Sequence, residues 1–186
     1  ISDVQPANGS LLAVSAPTVA GAFADNLSRV NITAVKILLD DIDVTANANV
    51  TPGGFNFIPP SLSDGAHILD IKIFDNAGNP AGSTTFFTTD TTAPVINNLT
   101  PPNGSVLDTS LPTISAEFSD NASGVDISSI EILFNGTDVT AQANATVTGF
   151  NFTPTAGLVN GAYDLAVTVR DLVGNQTLQT SVFDVF

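Results

Sequence analysis

Apolar and polar residues alternate with period two along most of this chain. HILDIKIF (67–74), PTISAEF (112–118), SIEILF (129–134), GFNF (149–152) and YDLAVTV (163–169) show it most plainly. That period puts every second side chain on one face, which is the pattern of a half-buried strand. Turn dipeptides separate the runs: Asn8-Gly9, Asp64-Gly65, Asn103-Gly104, Asn135-Gly136 and Asn160-Gly161. Such pairs tolerate the left-handed backbone that tight hairpins need. No amphipathic helical stretch of useful length interrupts the strands.

The pattern occurs twice. Residues 1–60 align with residues 96–155, and 29 of the 60 positions are identical. After a one-residue insertion, DGAHILDIKIFDNAGN (64–79) lies over NGAYDLAVTVRDLVGN (160–175). The organisation expected is a domain over residues 1–90, an extended Thr/Pro joint over 91–95, and a second copy over 96–186. About seven short strands in about 90 residues predict a β-sandwich for each copy. With strands of about ten residues at ~3.3 Å each, two copies end to end would make a rod about 70–80 Å long.

Composition narrows the function. Four Lys+Arg face eighteen Asp+Glu, a net charge of -14. Neutralising phosphates needs clustered basic residues, so nucleic acid and anionic lipid are excluded as usual partners. No apolar run approaches a membrane span, so no membrane insertion is expected. There is no Cys and one His. Thiol, disulfide and multi-histidine metal chemistry are therefore absent. There is also no Met, which marks the chain as a mature or excised segment.

Several motifs carry a more specific resemblance. They are DTTAPV (90–95), FSDNASGVD (118–126), SIEILFNGTDVT (129–140) and VRDLVGN (169–175). The first copy has FADNLSRVN (23–31), VKILLDDIDVT (35–45) and IFDNAGN (73–79) at the equivalent places. Together they resemble the bacterial and archaeal immunoglobulin-like (Big-type) repeats of surface and secreted proteins. The resemblance implies an all-β chain of two tandem Ig-like β-sandwiches. It also implies an extracellular or cell-surface setting in a prokaryote, with no catalytic role. The expected function is the repeating subunit of a surface filament or a stalk segment. An adhesin-type module for carbohydrate or protein is the alternative, as are accessory domains of a larger secreted enzyme. The single Tyr and missing Trp weigh against sugar stacking.

The chemistry-bearing residues have bland readings beside sharp ones. His67 aligns with Tyr163, which sits where a tyrosine corner bonds its hydroxyl to nearby backbone. His67 is then a structural substitute. Asp25, Asp75, Asp120, Asp126 and Asp171 are calcium-ligand candidates, since calcium takes several hard oxygens. Against that, Asp and Asn commonly close turns on their own backbone. An isopeptide cross-link needs Lys and Glu in one domain. The first copy has Lys36 and Lys72 but no Glu, and the second has Glu117 and Glu131 but no Lys.

Eleven Asn-X-Ser/Thr sequons stand out: Asn8, Asn26, Asn31, Asn49, Asn98, Asn103, Asn121, Asn135, Asn144, Asn151 and Asn175. With 17 Asn and 37 Ser or Thr in 186 residues, about three would arise by chance. In a secreted chain these are N-glycosylation candidates. Assembly-strand candidates lie at the termini: Ile1 and Val4, and Val182, Phe183, Val185 and Phe186. The partners expected are copies of the chain or neighbouring Ig-like domains, together with covalent glycans.

Overall fold

The computed structural model describes residues 1–186 and divides into two compact units, Ile1–Thr91 and Thr92–Phe186. Each is a sandwich of a four-stranded and a five-stranded sheet.

In the first unit the strands are β1 Ser2–Gln5, β2 Ser10–Leu12, β3 Val19–Ala22, β4 Lys36–Leu39, β5 Ile42–Asp43, β6 Asn49–Thr51, β7 Gly54–Phe57, β8 Gly65–Phe74 and β9 Pro80–Thr89. They form sheets in the orders β1-β3-β7-β6 and β2-β9-β8-β4-β5. All pairs are antiparallel except β2 with β9, which runs parallel. The second unit repeats this with β10 Val95–Thr100, β11 Val106–Leu107, β12 Ile114–Ser119, β13 Val125–Phe134, β14 Thr137–Asp138, β15 Asn144–Thr146, β16 Gly149–Phe152, β17 Gly161–Asp171 and β18 Gln176–Val185. Its sheets run β10-β12-β16-β15 and β11-β18-β17-β13-β14.

Each unit thus has nine strands where the pattern predicts about seven. The extra ones, β2 with β5 and β11 with β14, are only two or three residues long. A run that short has no readable period. The hairpin turns supply the reason β5 and β14 form. Asp40 and Asp41 have φ of 52° and 64°, and Asn135 and Gly136 have 50° and 70°. Two consecutive left-handed residues make the turn that matches strand twist.

Period two is realised in the cores. In β8, His67, Leu69, Ile71 and Ile73 point inward while Ile68 and Lys72 point out. Ile37, Leu69 and Phe87 are fully buried in the first unit, as are Ile132, Leu165 and Phe183 in the second. The repeated Asp-Val-Thr motif then hooks the strands to the connection behind them. Thr45 Oγ1 accepts from Ile37 N at 2.9 Å, and Thr140 Oγ1 from Ile132 N at 2.8 Å.

Candidate functional site

His67 is buried at the start of β8 and ties three elements together. Its Nδ1 lies 2.7 Å from Asp40 Oδ2, on the β4–β5 turn. Its Nε2 lies 2.9 Å from Ser63 O and 3.0 Å from Thr89 Oγ1. Tyr163, the equivalent residue, donates its hydroxyl to Val159 O at 2.9 Å. Each side chain therefore reaches the carbonyl four residues upstream, and His67 does the work of a corner tyrosine. The hydroxyl of Thr89 is no nucleophile, because it is buried and donates to Ser63 O at 2.7 Å.

The turn partner has changed along with the corner. Asp40 Oδ1 accepts from Ile68 N at 2.9 Å, as Asn135 Oδ1 accepts from Asp164 N at 3.2 Å. Only a carboxylate leaves a second oxygen free to take the imidazole. His67→Ala should destabilise the first unit by about 2–4 kcal/mol, since it empties a core position and strips the polar groups around it. His67→Tyr, which restores a donor near Ser63 O, should cost less than half of that. Urea unfolding followed through first-unit resonances would measure both.

The aspartates are largely spent on their own loops. Asp75 Oδ1 accepts from Ala77 N at 2.9 Å and Asn79 N at 2.8 Å, and its Oδ2 accepts from Asn79 Nδ2 at 2.6 Å. Asp171 does the same through Val173, Gly174 and Asn175 amides at 2.6–2.9 Å. Asp25 Oδ1 accepts from Leu27 N, and Asp126 Oδ1 from Ser128 N and its hydroxyl. These are the bonds by which Asx residues close turns.

In the second unit, Asp120 and Asp171 come together, with carboxylate oxygens within 4.8 Å. Asp120 Oδ1 accepts from Gly124 N at 2.7 Å, while its Oδ2 is excluded from solvent without a hydrogen-bond partner. Asp126 is not brought to this pair. In the first unit, Asp25 and Asp75 line one groove of about 460 Å³. A calcium shell takes roughly six to eight oxygens, more than either pair of carboxylates supplies.

The loop bonds have an acid signature. Asp75 is lowered from the ordinary 3.8 to about 2, first by the Asn79 side chain, then by the Asn79 amide and the Ser28 hydroxyl. A carboxyl whose folded value is depressed stabilises the fold above its unfolded value, and that stability is lost as pH falls toward the folded one. Asp75→Asn should therefore lower the melting temperature at pH 5–7. The gap to the native protein should close between about pH 4 and pH 2. Melting curves across that range would check it.

The sequons sort by geometry. Nine of the eleven asparagines are exposed, and Asn31 and Asn175 are half-buried. Asn98 gives its amide nitrogen to Glu117 Oε2 at 2.7 Å, and Asn175 gives its own to Asp171 Oδ2 at 2.6 Å. Asn8, Asn103 and Asn135 use only their carbonyl oxygens, toward Phe86, Val182 and Asp164 amides. These bonds do not use the nitrogen, the atom a glycan takes. Asn49 and Asn144 stand on the edge strands β6 and β15. Asn144 is directly opposite Asn151, so glycans on both would crowd one another.

The terminal strands pair at home. Ser2 and Gln5 of β1 pair with Ala22 and Ala20 of β3, and Ile1 and Val4 pack on the first core. β18 lies inside its sheet, between β17 and β11. Phe183 and Val185 are in the core, while Val182 and Phe186 are exposed. Lys36 and Lys72 lie on an exposed sheet face, far from the burial a spontaneous isopeptide needs.

A doubled nine-strand sandwich with corner residues bonded to the backbone and Asx-closed loops defines a tandem immunoglobulin-like protein. Residues 94–167 match the family model of the Bacterial Ig domain, Big_7. That match covers most of the second unit, and the first unit is its internal copy. No curated protein matches the chain in sequence. Among solved structures, the I-band fragment I67–I69 of titin is 10% identical with a TM-score of 0.60, over 98% of this chain and 64% of that one. Sidekick-1 immunoglobulin domains 1–4 are 12% identical with a TM-score of 0.56, over 98% and 48%. The fibronectin(III)-like modules of CbhA from Clostridium thermocellum are 15% identical with a TM-score of 0.42, over 98% and 90%. The titin and Sidekick-1 likenesses establish the Ig-like fold. No helix is long and apolar enough to cross a membrane.

Proposed function

We propose that the chain is a non-catalytic, extracellular structural module of a prokaryotic surface, built to supply length as a filament subunit or stalk segment. The observation that supports this is where its reactive side chains go. His67 holds a corner, and Asp25, Asp75, Asp126 and Asp171 accept from their own loops. These five groups are committed to rigidity, in a fold that the sequence carries twice. Exposed sequons add a sugar coat. Such a coat offsets the scarcity of surface charge, which otherwise leaves apolar surface open to association.

Negative-stain electron microscopy of native, untagged material tests the reading. Regular fibres support a filament subunit. Isolated short particles at all concentrations sink the filament and leave a stalk segment. Intact mass well above 19.0 kDa, lost on deglycosylation, would demonstrate the coat.

A further inference from the structure

One row of the first unit's five-stranded sheet is unlike its copy in the second. Lys36 on β4 is directly opposite Lys72 on β8, which is opposite Gly82 on β9. These are the only two lysines in the chain. Like charges set directly across a strand pair are destabilising. The row floors an open groove of about 560 Å³, shared with Leu38, Asp70 and Thr84. Gly82 is not there for its backbone. It has no positive φ, and a Cβ there would meet only Ile71 O at 3.4 Å. The second unit is an internal control. Its row reads Glu131, Thr168 and Leu178, and it folds in the same way. The fold therefore requires neither the two ammonium groups nor the gap.

The two rows are complementary at their ends, with Lys72 opposed to Thr168 between them. Lys36 corresponds to Glu131, and Gly82 to Leu178, which is 57% exposed. A two-fold axis along the row would turn one face onto the other with equivalent positions opposed. Ammonium then meets carboxylate, and the leucine enters the gap left by glycine. Off the axis the strand direction inverts, so Asp70 meets the Arg170 guanidinium and Thr84 meets Gln176. Asp43 and Asp138, which both faces carry, are turned to their own Thr45 and Thr140 amides. Two ten-residue strands flanked by strands of two to four residues offer on the order of 450 Å² per partner, the size of a weak, concentration-dependent contact.

We infer that the outer face of the first unit's five-stranded sheet docks on the matching face of the second unit in another copy of this chain. Association by faces leaves every strand in its own sheet. It does not require filaments, so microscopy and solution mass can fail separately.

Sedimentation of the full chain over a concentration series is the test, with circular dichroism confirming that each variant is folded. The native chain should self-associate. Lys36→Glu or Glu131→Lys alone should weaken association about tenfold or more, because each opposes like charges at both contacts of a reciprocal pair. Mixing the two variants should restore it. The carboxylate introduced at position 36 of one chain then faces the ammonium introduced at position 131 of the other. Gly82→Leu should weaken association by filling the gap. A chain that stays monomeric, association indifferent to either charge reversal, or a mixture no stronger than its components would each overturn the inference.

Discussion

Gly149→Ala should unfold the second unit, and Gly54→Ala the first. Both glycines open the strand that begins Gly-Phe-Asn-Phe, with φ of 147° and 148°. A side chain is strained there whatever the space. The space is also missing. A Cβ on Gly149 would lie 2.3 Å from Ala116 O, and one on Gly54 2.3 Å from Gly21 O. Those carbonyls belong to the neighbouring strands β12 and β3, so relief requires parting a sheet rather than turning a rotamer. Strain and clash together should cost roughly 3–5 kcal/mol. A single domain is stable by roughly 5–15 kcal/mol, so a small one has little left. Gly82→Ala is the control, because its Cβ is nearly unopposed, and it should change stability by less than about 0.5 kcal/mol. Thermal melts of the three variants would decide the matter. A Gly149→Ala chain that melts like the native one would disprove the clash.

Removing residues 180–186 should likewise leave the second unit unfolded. The segment carries Ser181, Phe183 and Val185, each 1% exposed. Truncating a buried Phe costs roughly 3–5 kcal/mol, before Val185 and the strand itself are counted. β11 pairs only with this strand, through Val106 with Asp184 and Leu107 with Val185. Ser181 Oγ also donates to Pro101 O at 2.6 Å, so the loop above loses its anchor. Val182→Ser and Phe186→Ser, both on exposed positions, should stay within about 0.5 kcal/mol of native. Second-unit amide dispersion in the truncated chain is the readout. If it persists, the strand is dispensable to its own sheet and free for another.

Much was legible in the residues alone. Period-two alternation fixes which face of each regular run is buried, because side chains on a strand alternate between bulges. Duplication and turn dipeptides mark two sandwiches, and the Tyr163 position identifies what His67 does. These are local properties, or comparisons of one copy with the other. They require no knowledge of what lies across a strand.

Register is the part the sequence does not carry. Nothing in it shows that Asp40 reaches His67, twenty-seven residues away, or that Lys36 and Lys72 share a row. Nor does it show that Asp120 approaches Asp171 while Asp126 does not. A pairing is chosen by how a whole sheet closes over its core, and a one-residue slip would exchange every inward and outward side chain. The alternation therefore determined the fold and the core of each unit. Only the closed sheets decided which aspartates serve turns, which asparagines bond through the carbonyl oxygen alone, and where two lysines stand against each other.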